Sequence, residues 1–514
     1  MNRSMNRIAY LFVAVVLSFT LKAQNDSSAT KTYLPKIVVK SEGISTDVRI
    51  RRLDGSTISP SEISETVTRL MKEANVTGMG ISIFNDGQVV YSKTFGVRDK
   101  DNDLPLTENT IISAASFTKV VFAYLVMQLV EERILNLDKP VYEYLPIPFT
   151  EYDAYKDLKD DPRYKKITAR MLLSHTSGLP NIRQFEKDQK LNIYFEPGSR
   201  FAYSGEGIML LQLVVESITK KSIQDLMQDH ILQPFGMTRT SLIWENRFDD
   251  NYSFPYNEDG RSLGPPEKRS PAMAAGSMLT TLHDFTSFLY AVINNIGLKK
   301  KTRDIMLSKQ IKIFSKSQFP TLSAETTEKN LPINLSYGLG WGLYWTPYGK
   351  AFFKEGHSEG WRNYTVCFDD QKTGIIIMTN SSNGEGIYKE LLESLLRNTF
   401  TPIQWEGFTP YNELPPRKPP KEHKEVTIDY QLLDQYIGRY SVPPSVLTIS
   451  KEGNHLSVKQ DEEPDKIDIF PESDKDFFAK IMDIWMTFDT DKQGKVSAII
   501  LHSGGTDIRA KRIE

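Results

Sequence analysis

One stretch of the chain, residues 114–132, is apolar on every side of the helix that it predicts. Its sequence is AASFTKVVFAYLVMQLVEE, with Ser116 and Lys119 ahead of the almost unbroken apolar run. A helix that is apolar all round belongs in the middle of a large domain rather than on its surface. Residues three apart share a helix face, so the serine and the lysine point the same way from the first turn. Two polar side chains at the start of a buried helix therefore constrain both the fold and the chemistry.

Ser116 and Lys119 together meet a requirement of nucleophilic catalysis. A serine needs a neighbouring base before it can act as a nucleophile. A lysine can be that base when burial lowers its pKa, because desolvation disfavours the ammonium. The unpaired N–H groups at a helix start can also bind a developing oxyanion. The competing interpretation is a capped helix with an exposed lysine, and the apolar run behind Lys119 favours the catalytic one.

Composition and charge limit the partners and indicate export. The 514 residues include 63 basic and 65 acidic side chains, so nothing favours nucleic acid or an anionic membrane surface as a partner. Arg3 and Arg7 precede an apolar run over 8–21 that is too short for a membrane span and is typical of a secretory signal peptide. We expect an exported protein, periplasmic or secreted, with no membrane span after residue 23; an uncleaved N-terminal anchor is the alternative. The single cysteine, Cys367, excludes an intramolecular disulfide.

Turn residues and hydrophobic periodicity divide the chain. Asp86-Gly87 between two apolar runs predicts a β-hairpin, and more strands are expected between residues 338 and 379, with helices between the hairpin and these strands. This order favours an α+β domain with one antiparallel sheet, and the charged, tyrosine-rich residues 151–166 resemble a surface insertion on it. A proline-rich linker and a period-two pattern typical of about six strands follow. The predicted organisation is a signal peptide at 1–23, an N-terminal arm at 24–56, the α+β domain at 57–402, a Pro-rich linker at 403–428 and an all-β domain at 429–514.

Two later segments carry groups that the serine and lysine could use. Tyr203 lies on a turn before a predicted helix, and a tyrosine beside a lysine ammonium ionises more easily and can relay protons. His357 follows a predicted strand in the run Gly-His-Ser-Glu-Gly. This run also matches the Gly-x-Ser-x-Gly nucleophile elbow of α/β-hydrolases, with Ser358 as the nucleophile. That motif needs a helix after the turn, whereas the residues after Gly360 indicate a strand.

In this order and at these separations, the three clusters resemble the serine β-lactamase and penicillin-binding-protein-like family, closest to its class C branch and to related esterases and D-aminopeptidases. Ser116 and Lys119 resemble the nucleophile motif, Tyr203 the start of the Tyr-x-Asn motif, and His357-Ser358 the Lys-Thr-Gly or His-x-Gly motif. His175 falls in a run that is structural in the family. The resemblance covers about residues 60–400, with supporting runs at 172–179, 234–237, 274–278 and 337–341.

The resemblance implies both a fold and an activity. The fold is an antiparallel sheet flanked by an all-helical subdomain, followed by a small all-β, lipocalin-like barrel. The implied activity is cleavage of an amide or ester, in a β-lactam, a D-amino-acid peptide or an ester substrate, through an acyl-enzyme on Ser116. Lys119 and Tyr203 would share the work of base and proton relay, and the Ser116 N–H would supply half of the oxyanion hole. The partner is a small-molecule or peptide substrate, with neither cofactor nor metal. The substrate-binding and oxyanion residues implied at the facing strand are His357, Ser358 and Gly360.

Three positions depart from the family pattern. Gly205 replaces the Asn of Tyr-x-Asn, Glu359 replaces the Gly of His-x-Gly, and Asn363 stands where Gly is frequent. An alternative alignment pairs Glu359–Arg362 with a Glu-Gly-Phe-Arg run of some relatives, which leaves the register of this strand open. The departures motivate a second hypothesis, a non-catalytic penicillin-binding-like protein of the cell envelope.

Overall fold

The computed structural model describes residues 49–186, 188–414, 423–442, 445–461, 466–480, 484–503 and 506–513. They form two compact units, one that ends at Leu414 and one that holds the described residues from His423 onward. The predicted signal peptide, most of the predicted N-terminal arm and the middle of the predicted linker lie outside the described residues.

A nine-stranded sheet forms the centre of the first unit. The strands of this unit are β1 (Ile50–Arg51), β2 (Thr57–Ile58), β3 (Gly78–Asn85), β4 (Gln88–Asp99), β5 (Leu104–Pro105), β6 (Ile112–Ser113), β7 (Leu279–Thr280), β8 (Ile311–Lys312), β9 (Ser336–Tyr337), β10 (Gly342–Thr346), β11 (Gly349–Ser358), β12 (Trp361–Phe368) and β13 (Thr373–Thr379). The sheet order is β5-β4-β3-β13-β12-β11-β10-β9-β8, which places β3, the first strand of this sheet in the sequence, beside β13, the last. The predicted hairpin is confirmed: Asp86 and Gly87 join β3 to β4 with φ of 51° and 74°, the left-handed values that a two-residue turn needs.

Helices cover both faces of this sheet. They are α1 (Pro60–Glu73), α2 (Phe117–Glu131), α3 (Ala169–Leu173), α4 (Gly205–Thr219), α5 (Ile223–Met227), α6 (Leu282–Asn294), α7 (Lys300–Met306), α8 (Tyr388–Leu396) and α9 (Ile403–Glu406). Every residue of α2 from Phe117 to Leu129 is buried, as its apolar sequence predicts. This helix lies in a large core with α4 and α6, whereas α1 and α8 pack in a second core. The predicted antiparallel sheet with a helical subdomain is therefore confirmed.

The strand β11 lies between these two cores, and its successive side chains point alternately into one core and the other. Phe352 lies in the core of α2, and Phe353 lies in the core of α1 and α8. Successive side chains of a strand point to opposite faces, so the even-numbered residues of β11 face α2 and the odd-numbered residues face away from it. This parity decides which side chains of β11 can reach the start of α2.

The structure refines one segment prediction and corrects two boundary predictions. Residues 151–166 lie mostly at the surface, as predicted, but Tyr155 and Leu158 anchor them in the core of α2. The last residues of the predicted arm are packed: Ile50 pairs in β1 and is fully buried. The first unit also extends past residue 402, since Trp405 is buried against the core of α1 and α8.

The second unit is a closed barrel of eight strands rather than about six. They are β14 (Gly438–Val442), β15 (Ser445–Glu452), β16 (His455–Gln460), β17 (Lys466–Pro471), β18 (Asp476–Ala479), β19 (Ile484–Thr490), β20 (Val496–Ser503) and β21 (Thr506–Arg512). Tyr436, Phe477 and Phe488 pack together in its core. Across the part of the chain that the structure describes, we find no helix with the length and apolar character of a membrane span.

Candidate active site

Ser116 lies at a constrained turn where α2 begins. The preceding residue, Ala115, has a φ of +47°, a left-handed conformation that is costly for a residue with a side chain. Two contacts hold this turn: the Ala114 N–H donates to the carbonyl of Met278 at 2.9 Å, and β6 pairs with β7 just before it. Ser116 is only half-buried, whereas its neighbours on both sides are buried. The turn therefore presents the serine hydroxyl at the end of a rigid, buried helix.

Lys119 is positioned to act on Ser116. Its Nζ lies 3.2 Å from the Ser116 Oγ and donates to the carbonyl of Ala275 at 2.5 Å. The side chain is almost fully buried, and burial, with a smaller contribution from the positive charge of Lys354, lowers the pKa of Lys119 to about 7. A substantial fraction of this lysine is thus neutral near pH 7, which is the form that can accept a proton.

Tyr203 lies against both lysines of the site. Both Lys119 Nζ and Lys354 Nζ lie over its ring, at 5.0 Å and 4.9 Å from the centroid. Burial raises the pKa of Tyr203 above its ordinary value, and the neighbouring Lys354 and Ser116 offset only part of that effect. The sequence predicts easier ionisation of Tyr203; the structure instead favours a neutral phenol, which can donate or relay a proton but is a poor base.

His175 supports the turn that carries Tyr203. Its Nδ1 accepts a hydrogen bond from the Ser204 N–H at 3.1 Å, and its ring centroid lies 4.4 Å from that of Tyr203. Burial, together with the charges of Lys119 and Lys354, lowers the pKa of His175 well below its ordinary value, so the ring is neutral. Ser204 in turn caps α4, its Oγ accepting from the Gly207 N–H at 2.9 Å.

The facing strand contributes Lys354, a residue that the motif resemblance does not include. Lys354 is fully buried on the α2 side of β11, and its Nζ bonds the Glu355 Oε1 at 2.6 Å. Burial alone would lower the pKa of Lys354, but Glu355 and Tyr203 together raise it above its ordinary value, so it remains an ammonium. The available signal was a lysine at a core-facing position, directly after the apolar residues Ala351–Phe353.

The side chain of His357 points away from Ser116. As an odd-numbered residue of β11 it faces the core of α1 and α8, where its ring centroid lies 5.2 Å from that of Phe408 and its Nε2 lies 3.6 Å from Glu385. Gly356 instead faces the start of α2: a Cβ there would lie 2.5 Å from the carbonyl oxygen of Ala114. The run that faces the serine is therefore Lys354-Glu355-Gly356, three residues before the predicted one.

The backbone of His357 nevertheless lies on the edge of the sheet that is open to the site. The pairing of β10 with β11 ends at Phe353, so residues 354–358 pair with β12 alone among the described strands. The Glu355 carbonyl points to this open edge, since it accepts from Lys354 Nζ at 3.0 Å. Backbone groups of alternate residues point to the same edge, so the His357 N–H faces it too.

Ser358 and Gly360 lie at the hairpin that joins β11 to β12. Ser358 pairs with Trp361, and the Gly360 N–H donates to the Ser382 Oγ at 3.1 Å. A strand, not a helix, follows this turn, so Ser358 lacks the context of an α/β-hydrolase nucleophile elbow. The structure thus brings Ser116, Lys119 and Tyr203 together and leaves Ser358 and Gly360 at the hairpin.

Gly205 has no space for the asparagine of a Tyr-x-Asn motif. A Cβ at this position would lie 2.7 Å from the carbonyl oxygen of Asn181, whose side-chain Oδ1 accepts from the Gly205 N–H at 3.1 Å.

No group of three His, Cys, Asp or Glu side chains that could hold a metal ion occurs in the described part of the chain.

Comparison with protein families agrees with this architecture. The family model described as Beta-lactamase matches residues 63–396, and a model described as a domain of unknown function, DUF3471, matches residues 422–512. The second match coincides with the barrel unit.

Two curated proteins are among the similar sequences. Protein flp of Staphylococcus aureus strain MW2 is 24% identical over 253 residues, which cover 46% of this chain and 49% of that protein. The chain thus spans about half the length of such relatives. Penicillin-binding protein 4* of Bacillus subtilis strain 168 is 23% identical over 463 residues, covering 83% of this chain and 93% of its own.

A solved structure shares the fold. The octameric penicillin-binding protein homologue from Pyrococcus abyssi aligns over 88% of this chain and 99% of its own, with a TM-score of 0.55 and 21% identity. Because the Beta-lactamase model matches residues 63–396, well over half of the 514 residues, and the sheet and helices have the arrangement that the resemblance implies, this protein belongs to the beta-lactamase family.

Proposed function

We propose that the protein is a serine hydrolase that cleaves an ester or an amide through an acyl-enzyme on Ser116. The observation that carries this proposal is the buried Lys119, whose Nζ lies 3.2 Å from the Ser116 Oγ and whose pKa is lowered to about 7. A neutral amine in contact with a half-exposed hydroxyl is a nucleophile with its base in place.

Acylation begins as Lys119 takes the proton of the Ser116 hydroxyl while the Oγ bonds to the substrate carbonyl carbon. The negative charge that develops on the carbonyl oxygen lies between two backbone donors, the N–H of Ser116 and the N–H of His357. Oriented donors of this kind stabilise an oxyanion without reorganising during the reaction. His357 would thus act through its backbone, since its side chain lies on the other face of the sheet.

Collapse of the tetrahedral intermediate breaks the bond to the leaving group. That group departs with a proton supplied by the Lys119 ammonium, directly or through the hydroxyl of Tyr203. A water molecule then loses a proton to Lys119 and attacks the acyl carbon; the Ser116 Oγ leaves and regains a proton, which restores the enzyme. Tyr203 serves as a relay rather than as the base, because burial keeps its pKa high.

Covalent labelling tests the nucleophile. Incubation with a neutral fluorophosphonate, and separately with a penicillin, should add one reagent mass to the tryptic peptide that contains Ser116. The Ser116→Ala variant should remain unlabelled, while Ser358→Ala should be labelled like the wild type. An adduct on Ser358, or labelling that survives Ser116→Ala, would overturn the assignment.

Turnover separates this proposal from the alternative of a non-catalytic penicillin-binding-like protein. The wild type should release product continuously from a p-nitrophenyl ester or a D-amino-acid p-nitroanilide, and Ser116→Ala should not. A stable adduct on Ser116 without turnover of any ester, amide or cephalosporin would favour the binding protein.

Export is part of the proposal and rests on the sequence of residues 1–23 alone. Expression of the full chain in a bacterial host should place the protein outside the cytoplasm, with the new N-terminus at Gln24. A full-length protein that stays in the cytoplasmic fraction would contradict this.

A further inference from the structure

The ammonium of Lys354, which lies over the Tyr203 ring, already has an anionic partner within the chain. Lys354 Nζ bonds the side-chain Oε1 of Glu355 at 2.6 Å and its backbone carbonyl at 3.0 Å. Glu355 reaches it around the open edge of β11, although the two side chains leave the strand on opposite faces. A buried ammonium that has a carboxylate in contact gains little from a second anion, because the first has already compensated its charge.

Neighbouring contacts hold this ion pair in place and away from solvent. The Lys354 side chain has no exposed surface, and that of Glu355 is buried as well. Gln318 donates from Nε2 to the Glu355 Oε1 at 2.8 Å, and its own N–H donates to the carbonyl of Trp405 at 2.8 Å. The loop that carries Gln318 therefore fixes the carboxylate against the lysine.

Lys119, the second lysine over the Tyr203 ring, also has its contacts within the chain. Lys119 contacts both the Ser116 Oγ and the Ala275 carbonyl, and it can act as the base only when it is neutral. Of the two lysines over this ring, neither offers a free positive charge to a bound molecule.

The same loop places an exposed aromatic ring at the site. Phe319 follows Gln318, and its ring centroid lies 5.7 Å from that of Tyr203. It is 41% exposed, so an apolar ring that a bound molecule can contact borders the buried polar residues. An apolar surface next to the catalytic tyrosine suits an apolar portion of a substrate.

We propose that Glu355 supplies, from within the chain, the anion that Lys354 would otherwise bind in a substrate, so that the site takes esters or amides with an uncharged, apolar acyl part, which contacts Phe319. This inference rests on the proposed serine hydrolase activity and names its substrate class. Glu355 is in this view a specificity residue, while the chemistry remains with Ser116 and Lys119.

A matched pair of chromogenic esters tests the charge selection. p-Nitrophenyl butyrate and mono-p-nitrophenyl succinate have acyl chains of equal length, and only the succinate carries a carboxylate. The wild type should have the higher kcat/KM for the butyrate. Glu355→Gln, which removes the charge but keeps the shape, should shift the butyrate-to-succinate ratio towards succinate by at least about tenfold, or about 1.4 kcal/mol. Glu355→Asp retains the charge and should keep the ratio within about threefold of wild type.

The ratio is measured within each variant, so changes in the shared chemistry cancel. A wild type that prefers the succinate, or a Glu355→Gln ratio equal to that of wild type, overturns the inference while leaving the Ser116 mechanism intact. Equal and negligible hydrolysis of both esters by wild type and Ser116→Ala overturns the proposed function and this inference together.

Phe319 gives a second test that does not disturb the buried ion pair. Its side chain is exposed, so Phe319→Ala should fold as the wild type does, which circular dichroism and thermal melting check. Wild type should favour p-nitrophenyl octanoate over the acetate in kcat/KM, and Phe319→Ala should lower that preference at least about fivefold. An unchanged preference would show that the ring does not contact the acyl chain.

Discussion

Replacing Lys354 by methionine should move the acid limb of the pH–rate profile to higher pH. Lys119 acts as a base only when it is deprotonated, so kcat/KM of the wild type should rise with pH through a value of about 7, the pKa of Lys119. The positive charge of Lys354 contributes to that low pKa, because it disfavours a second ammonium nearby. Removing it makes the protonated form of Lys119 more stable, and activity then requires a higher pH.

The size of the shift follows from the site geometry. The two lysine nitrogens lie 5.0 Å and 4.9 Å from the same ring centroid, so they are at most about 10 Å apart. With an effective dielectric constant of about 20, two unit charges at this distance repel by about 1.7 kcal/mol. That energy corresponds to about 1.2 pH units. Glu355 already raises the pKa of Lys119 in the wild type, so it adds nothing to this difference.

The assay is kcat/KM for a p-nitrophenyl ester between pH 5.5 and 9.5, with corrections for background hydrolysis. The matched control is Lys350→Met, which replaces another lysine of the same strand, paired with Asp369 at 2.9 Å. It should leave the acid limb at the wild-type position. A Lys354→Met limb at the same or a lower pH, in a protein that melts cooperatively, would refute the assignment of Lys354 as the charge that tunes Lys119.

Three further predictions concern packing within the first unit. Gly356→Ala should lower kcat/KM about 100-fold, because its Cβ would lie 2.5 Å from the carbonyl oxygen of Ala114 and push the strand away from the serine. The control Gly276→Ala, whose Cβ would have its nearest atom at 3.8 Å, should keep kcat/KM close to the wild-type value. Equal activities of the two variants would contradict this. His175→Phe leaves the Ser204 N–H without its acceptor and should reduce the free energy of unfolding in urea by about 1–3 kcal/mol, so an unchanged midpoint would argue against that bond. Cys367 is buried, which raises the pKa of its thiol, and it should react with a thiol reagent only after unfolding; rapid labelling of the native protein would be inconsistent with the fold.

Local pattern was sufficient where one element determines its own environment. The helix α2 is apolar on all sides, and a helix of this kind can only be buried, so the burial of Lys119 followed from residues 114–132 alone. The hairpin at Asp86-Gly87 followed for a similar reason, since few residues other than these adopt its left-handed conformations. Neither prediction needed to know what the rest of the chain does.

Local pattern failed where burial comes from distant segments. The charged composition of residues 151–166 concealed the apolar contacts that Tyr155 and Leu158 make with the core of α2. Likewise, the prolines after residue 409 suggested that the linker begins at residue 403, yet Trp405 packs on the sheet. In each case a few apolar side chains decide the packing, and their neighbours in sequence carry no sign of it.

The sequence by itself determined the buried helix with Ser116 and Lys119, the class of fold and the candidate tyrosine, because helical spacing and turn chemistry act over a few residues. Only the tertiary structure decided which residues of β11 face the serine. A strand alternates its faces at every residue, so choosing His357 instead of Lys354 moves the side chain to the opposite side of the sheet. The pairing with β10 and β12 sets that register, and it places the ammonium of Lys354, its partner Glu355 and the His357 N–H at the site.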